Sequence, residues 1–109
     1  MTGTLDDTVG LLHTAGYLYG QHGQTRRAIA ILMVAARLAP GHVGVLRTLA
    51  YTFLIDGAPQ RAIAIMERLR AMEGGDHPAL DLLESRALWA CGRESEARAA
   101  LDQYMLRPR

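Results

Sequence analysis

The chain has 109 residues, enough for one domain, and carries 12 basic against 11 acidic side chains, a net charge near +1. That balance argues against nucleic acid or an anionic membrane surface as the target, and no apolar run approaches the ~20 residues of a bilayer span. Every basic residue is arginine and Cys91 is the lone cysteine, which excludes a P-loop lysine, a lysine nucleophile, an internal disulfide and a cysteine metal cluster.

Half of the residues are hydrophobic but only 6% are aromatic. The apolar set is mostly Ala, Leu and Ile, which favours packed helices over strands. The opening MTGTLDDTVG has neither a basic n-region nor an apolar h-region, so it predicts no signal peptide and a cytoplasmic protein. A first helix is predicted over 5–21, with Asp6 or Asp7 as its cap. Its end holds Gly16, Gly20 and Gly23, but no Gly-Lys-Ser/Thr follows and no strand precedes. The spacing G-x-x-x-G-x-x-G also differs from the dinucleotide fingerprint, so these glycines do not read as a phosphate loop. A second helix, 25–39, stops at Pro40 and Gly41. A third spans 43–56. The fourth, 59–72, opens on Pro59, where a missing N–H costs little. GGDHP at 74–78 is a loop, with Asp76 or His77 as cap and Pro78 at the first position of a helix over 78–91. The last helix covers 94–106. No stretch alternates apolar and polar residues long enough for a strand.

The chain repeats itself. GQTRRA, GAPQRA and GRESEA begin at Gly23, Gly57 and Gly92, which are 34 and 35 residues apart, and Ala28, Ala62 and Ala97 follow each glycine by five. A period near 34 made of helix–turn–helix units resembles the tetratricopeptide repeat. Leu12, Ala15, Gly16, Tyr19, Gly23, Ala28, Leu32, Ala35 and Pro40 fall on its consensus positions in the first unit. Leu46, Leu49, Ala50, Phe53, Gly57, Ala62, Met66 and Leu69 do so in the second. The third matches at Ser85, Leu88, Gly92, Ala97, Leu101 and Tyr104, but Asp81 and Glu84 stand where apolar residues are usual. This predicts a helix rotated or shifted by a residue there. The resemblance implies an all-α fold: three tetratricopeptide-like repeats at about 9–42, 43–76 and 77–109, forming one short right-handed solenoid. Gly16, Ala50 and Ser85 are the small residues at which paired helices cross, with Gly16 expected against Ala28.

In that architecture the first helix of each unit lines an inner groove. The positions that point inward supply His13, Tyr17 and Gly20, then Arg47, Tyr51 and Leu54, then Leu82, Arg86 and Trp89. An aromatic and apolar lining with two arginines suits an amphipathic helix or an extended peptide bearing an acidic residue. Packing between helices is the alternative role for Tyr17, Tyr51 and Trp89. Tyr17 and Tyr51 replace the asparagines of a carboxylate clamp, which argues against capture of an acidic C-terminal tail. His13, His22, His42 and His77 lack metal-ligand spacing, and no nucleophile–base set is evident, so neither a metal, a cofactor nor an enzyme activity is expected. At the C-terminal end, Leu101, Tyr104, Met105 and Leu106 are expected to lie partly uncovered, to be closed by a partner or by self-association.

Three stretches, LLHTAGYLYGQHGQTRRAIAIL, LAPGHVGVLRTLAYTFLIDGAPQRA and SRALWACGRESEARAALDQYML, carry a closer resemblance over about residues 10–106. They are similar to the YscY (SctY) chaperones of bacterial type III secretion. The resemblance implies a cytoplasmic protein, peripheral at the secretion apparatus. It would bind a small secreted partner of the YscX (SctX) type and, with it, the cytosolic domain of the export-gate protein (SctV type). A YscG-like needle-subunit chaperone and a generic interaction scaffold share the architecture and stand as alternatives.

Overall fold

The computed structural model describes residues 2–72 and 77–108, and these form helices only, joined by short turns. They are α1 (Thr2–Gln21), α2 (Thr25–Leu38), α3 (Val43–Ile55), α4 (Pro59–Arg70), α5 (Pro78–Ala90) and α6 (Glu94–Leu106). Consecutive helices pair as three hairpins, α1 with α2, α3 with α4 and α5 with α6, and each hairpin packs on the next through α2–α3 and α4–α5. The result is an all-α helical repeat solenoid, 45 × 28 × 21 Å.

Three equivalent turns set this geometry. Gly23, Gly57 and Gly92 have φ of 78°, 81° and 77°, a region that L side chains seldom enter. The residue after each glycine donates its N–H back across the turn: Gln24 to Tyr19 O, Ala58 to Phe53 O and Arg93 to Leu88 O, each at 2.9 Å. The glycine N–H itself bonds to Gly20 O, Leu54 O or Trp89 O. This paired bonding satisfies the orphan carbonyls of the first helix and reverses the chain within a few residues.

Helix starts follow residue chemistry. Pro59 and Pro78 open α4 and α5. His42 and His77 cap α3 and α5, their Nδ1 atoms accepting from the N–H groups of Val45 and Ala79 at 3.1 Å. Asp76, the other cap expected for α5, lies outside the described residues. Asp6 and Asp7 do not cap α1. No proline separates them from Thr2 and the helix tolerates Gly3, so it continues past them toward the N-terminus, and Thr8 Oγ1 bonds to Thr4 O as a mid-helix threonine does.

A continuous core runs through the later five helices, with Leu32, Leu46, Leu49, Met66, Leu69 and Leu80 fully buried. Val9, Ala35 and Val45 make a smaller cluster where α1, α2 and α3 meet. Gly16 lies against Leu32 rather than Ala28. A Cβ at Gly16 would come within 2.6 Å of Leu32 Cγ, whereas Ala28 faces Gly20. In an antiparallel hairpin, residues at matching distances from the turn meet, and Gly20 is the nearer partner for Ala28.

The third hairpin keeps the register of the others, contrary to the shift that Asp81 and Glu84 suggested. Ser85 Oγ donates to Ala97 O at 2.9 Å, so the small residue is still at the crossing. Asp81 is buried and paired. Arg70 from α4 reaches it at 2.7 Å and Glu84 at 3.0 Å, while Arg107 beyond α6 holds the other Asp81 oxygen. An ion cluster fills a place where the first two hairpins use leucine, which a buried carboxylate tolerates only when it is paired.

Candidate functional site

The hairpin turns tilt α1 and α3 side by side, and a cleft of about 210 Å³ opens between them. Tyr17, Gly20 and Gln21 line its α1 side; Thr48, Tyr51, Thr52 and Ile55 line its α3 side. Tyr17 and Tyr51 are 52% and 40% exposed, so their rings serve the surface rather than the core. A neighbouring recess is lined by His13, Thr14, Tyr17 and Thr48. Tyr17 belongs to both and joins them.

The floor offers little polar chemistry. Thr48 Oγ1 donates to Gly44 O at 3.0 Å, and Thr52 Oγ1 donates to Thr48 O at 2.7 Å, so both hydroxyls are turned onto their own helix. The Thr48 oxygen then accepts from His13 Nε2 at 2.8 Å, which ties α1 to α3. The His13 and His42 rings meet edge to face, 5.7 Å between centroids. Burial, and second the nearby His42, hold the His13 imidazole below its usual titration range. At Gly20 an added Cβ would stand 3.8 Å from Ala28 Cβ and 3.9 Å from Thr52 Oγ1. That is ordinary contact, so the absence of a side chain there deepens the cleft without being required by packing.

The structure therefore brings His13, Tyr17, Gly20 and Tyr51 together. Arg47 is half-buried on α3, and Leu54 packs against the main core. Leu82 and Arg86 line a different groove, about 430 Å³, with Ala79, Leu83, Ser85 and Leu101 on the last hairpin. Trp89 is exposed. Sequence reasoning missed Thr14, Gln21, Thr48, Thr52 and Ile55. Gln21 and Ile55 lie one helical turn beyond Tyr17 and Tyr51, so extending the inward positions by i+4 finds both. Thr14 on α1 and Thr48 and Thr52 on α3 sit where the two helices meet, a contact the repeat pattern does not specify.

A wall of aromatic rings over a floor of satisfied hydroxyls suits burial of apolar side chains from another chain. Comparison with known proteins agrees with the architecture. No curated protein matches the chain. The family profile described as Tetratricopeptide repeat matches residues 53–108, just over half of the sequence. With its paired helices, glycine turns and matching profile, the chain belongs to the tetratricopeptide-repeat family.

Proposed function

We propose that the chain is a protein-binding chaperone whose α1–α3 cleft receives a helical segment of its partner. The observation that carries this is the pair of half-exposed tyrosines, Tyr17 and Tyr51, framing a recess whose threonine hydroxyls are already bonded. Proteins of this repeat family act as interaction scaffolds, and this cleft has the apolar, aromatic character of a helix-accepting groove. His13 and Gly20 extend the contact along α1. Leu54, packed on the core, and Leu82 and Arg86, in the groove of the last hairpin, stand apart from this contact.

The partner we assign is a small secreted type III protein of the YscX (SctX) type, escorted to the SctV-type export gate. The support is the resemblance carried by residues 10–106. Co-expression with such a partner followed by size-exclusion chromatography tests it: the two proteins should co-elute. Tyr51→Ala should then weaken the complex by about 1–3 kcal/mol, the range for a buried aromatic anchor, with helicity unchanged by circular dichroism. Native helicity with unaltered affinity would remove the cleft from the interface. Failure of the wild-type pair to co-elute would remove the secretion assignment but leave the cleft open to another partner.

A further inference from the structure

The end faces of the solenoid match each other. Alignment of the three turns on Gly23, Gly57 and Gly92 makes Leu11, Val45 and Leu80 counterparts, and likewise Leu18, Thr52 and Ala87. In α3 and α5 these positions are buried. In α1, Leu11 and Leu18 are 71% and 50% exposed. Thus α1 displays toward solvent the apolar face that its counterparts use to seat on a preceding hairpin.

The opposite end displays the matching seat. Inside the chain, Val45 packs into a cluster with Val9 and Ala35, bordered by Leu12, Ala36 and Ala39. The counterparts of Val9, Ala35, Ala36 and Ala39 on the last hairpin are Pro78, Tyr104, Met105 and Pro108, and that of Leu12 is Asp81, buried and paired with Arg70 and Arg107. Pro78, Tyr104, Met105 and Pro108, with Arg107, line an open cleft of about 180 Å³. Leu101 is exposed where its counterparts Leu32 and Met66 are fully buried. Beside it lies the groove of Leu82 and Arg86.

We propose that this end groove receives α1 of a second copy of the chain, so that copies associate head to tail. Leu11 of one copy would enter the cleft of Pro78, Tyr104 and Met105 on the other, as Val45 enters its cluster within the chain. At two further internal contacts the side chains change without bringing like charges together. The His13–Thr48 hydrogen bond is replaced by an apolar contact, Leu82 facing Thr14, and the Thr25–Asp56 hydrogen bond by Glu94, which also pairs with Arg98, facing His22. Because the two surfaces differ, the contact is heterologous and each added copy leaves a free head and a free tail. This inference is independent of the secretion reading and uses neither wall of the α1–α3 cleft.

Sedimentation velocity on the 109-residue chain tests it. The weight-average mass should climb with concentration, to about double that of one chain by ~1 mM. Leu11→Asp at the head and Met105→Asp at the tail should each hold the protein monomeric. Both residues are exposed, so circular dichroism should report an unchanged fold. An equimolar mixture of the two variants retains one intact head and one intact tail, and should form a dimer that does not grow further. A wild-type chain monomeric throughout would overturn the proposal and leave the end groove to another protein. So would association of Leu11→Asp equal to wild type, which would mean tail-to-tail pairing. Failure of the mixture to dimerise would overturn it as well.

Discussion

Two glycines four residues apart on α1 have different reasons to be there. At Gly16 a methyl would press into the side chain of Leu32, which is fully buried. Gly16→Ala should therefore lower stability by about 1–3 kcal/mol despite the better helix propensity of alanine, as overpacked cores do. At Gly20 the same methyl meets only ordinary contacts. Gly20→Ala should be neutral or stabilising by up to ~1 kcal/mol, because it removes backbone freedom from the unfolded chain. Urea unfolding of the two variants checks the contrast. That Gly16 should be small was legible in the sequence from the repeat alignment, whereas Gly20 aligns with Leu54 and Trp89 and was read as a groove position. Which residue of α2 lies opposite Gly16 was not legible, because the turn decides it.

At the level of helices, the third hairpin is joined to the second by charge as well as by its apolar core. Burial alone would raise the Asp81 carboxyl, but hydrogen bonds from Arg107 and then Arg70, with their positive charges, hold it below its ordinary 3.8. As pH falls, the unfolded chain takes up this proton before the folded one does. The contribution is complete above the unfolded value and is lost as pH drops through the lower folded value. Asp81→Asn should cost about 1–3 kcal/mol at neutral pH, the range for hydrogen bonds to charged groups, since Arg70 and Arg107 keep partial access to water. It should also flatten the acid limb of the stability curve. Urea midpoints measured from neutral pH down through about pH 2 report both effects. The helix bounds of this hairpin were readable from Pro78, Gly92 and the spacing of small residues. Its ion cluster was not. Two acidic residues on an otherwise apolar face suggest a solvated or rotated helix, and the arginines that reverse this reading lie 11 and 26 residues from Asp81.

For the molecule as a whole, stability is distributed along a line of neighbours. The fully buried leucines and methionine of α3 and α4 sit between hairpins on either side, whereas α6 buries only Ala97 and Ala100. In a solenoid each unit is held by its own interior and by its contacts with adjacent units, so an end unit lacks one set. Amide hydrogen exchange should accordingly be slowest in α3 and α4, and fastest in α6 and in the part of α1 before Val9. Uniform protection across all six helices would contradict this and indicate one cooperative block. The solenoid itself was legible from three glycines and their following alanines. The candidate site was legible in part: repeat positions identified the tyrosines, but the separation of Leu82 and Arg86 into another groove follows from how the hairpins stack, which no single unit encodes.

The threonines on α3 have a consequence for recognition. With Thr48 and Thr52 each bonded to a carbonyl of their own helix, the bottom of the cleft asks only that an incoming side chain be apolar and of tolerable size. Discrimination then falls to the rim, formed by the exposed side chains of Tyr17, Gln21 and Tyr51. A partner lineage is free to exchange one aliphatic residue for another at the buried point. The spacing of the polar groups that meet the rim is what it has to preserve.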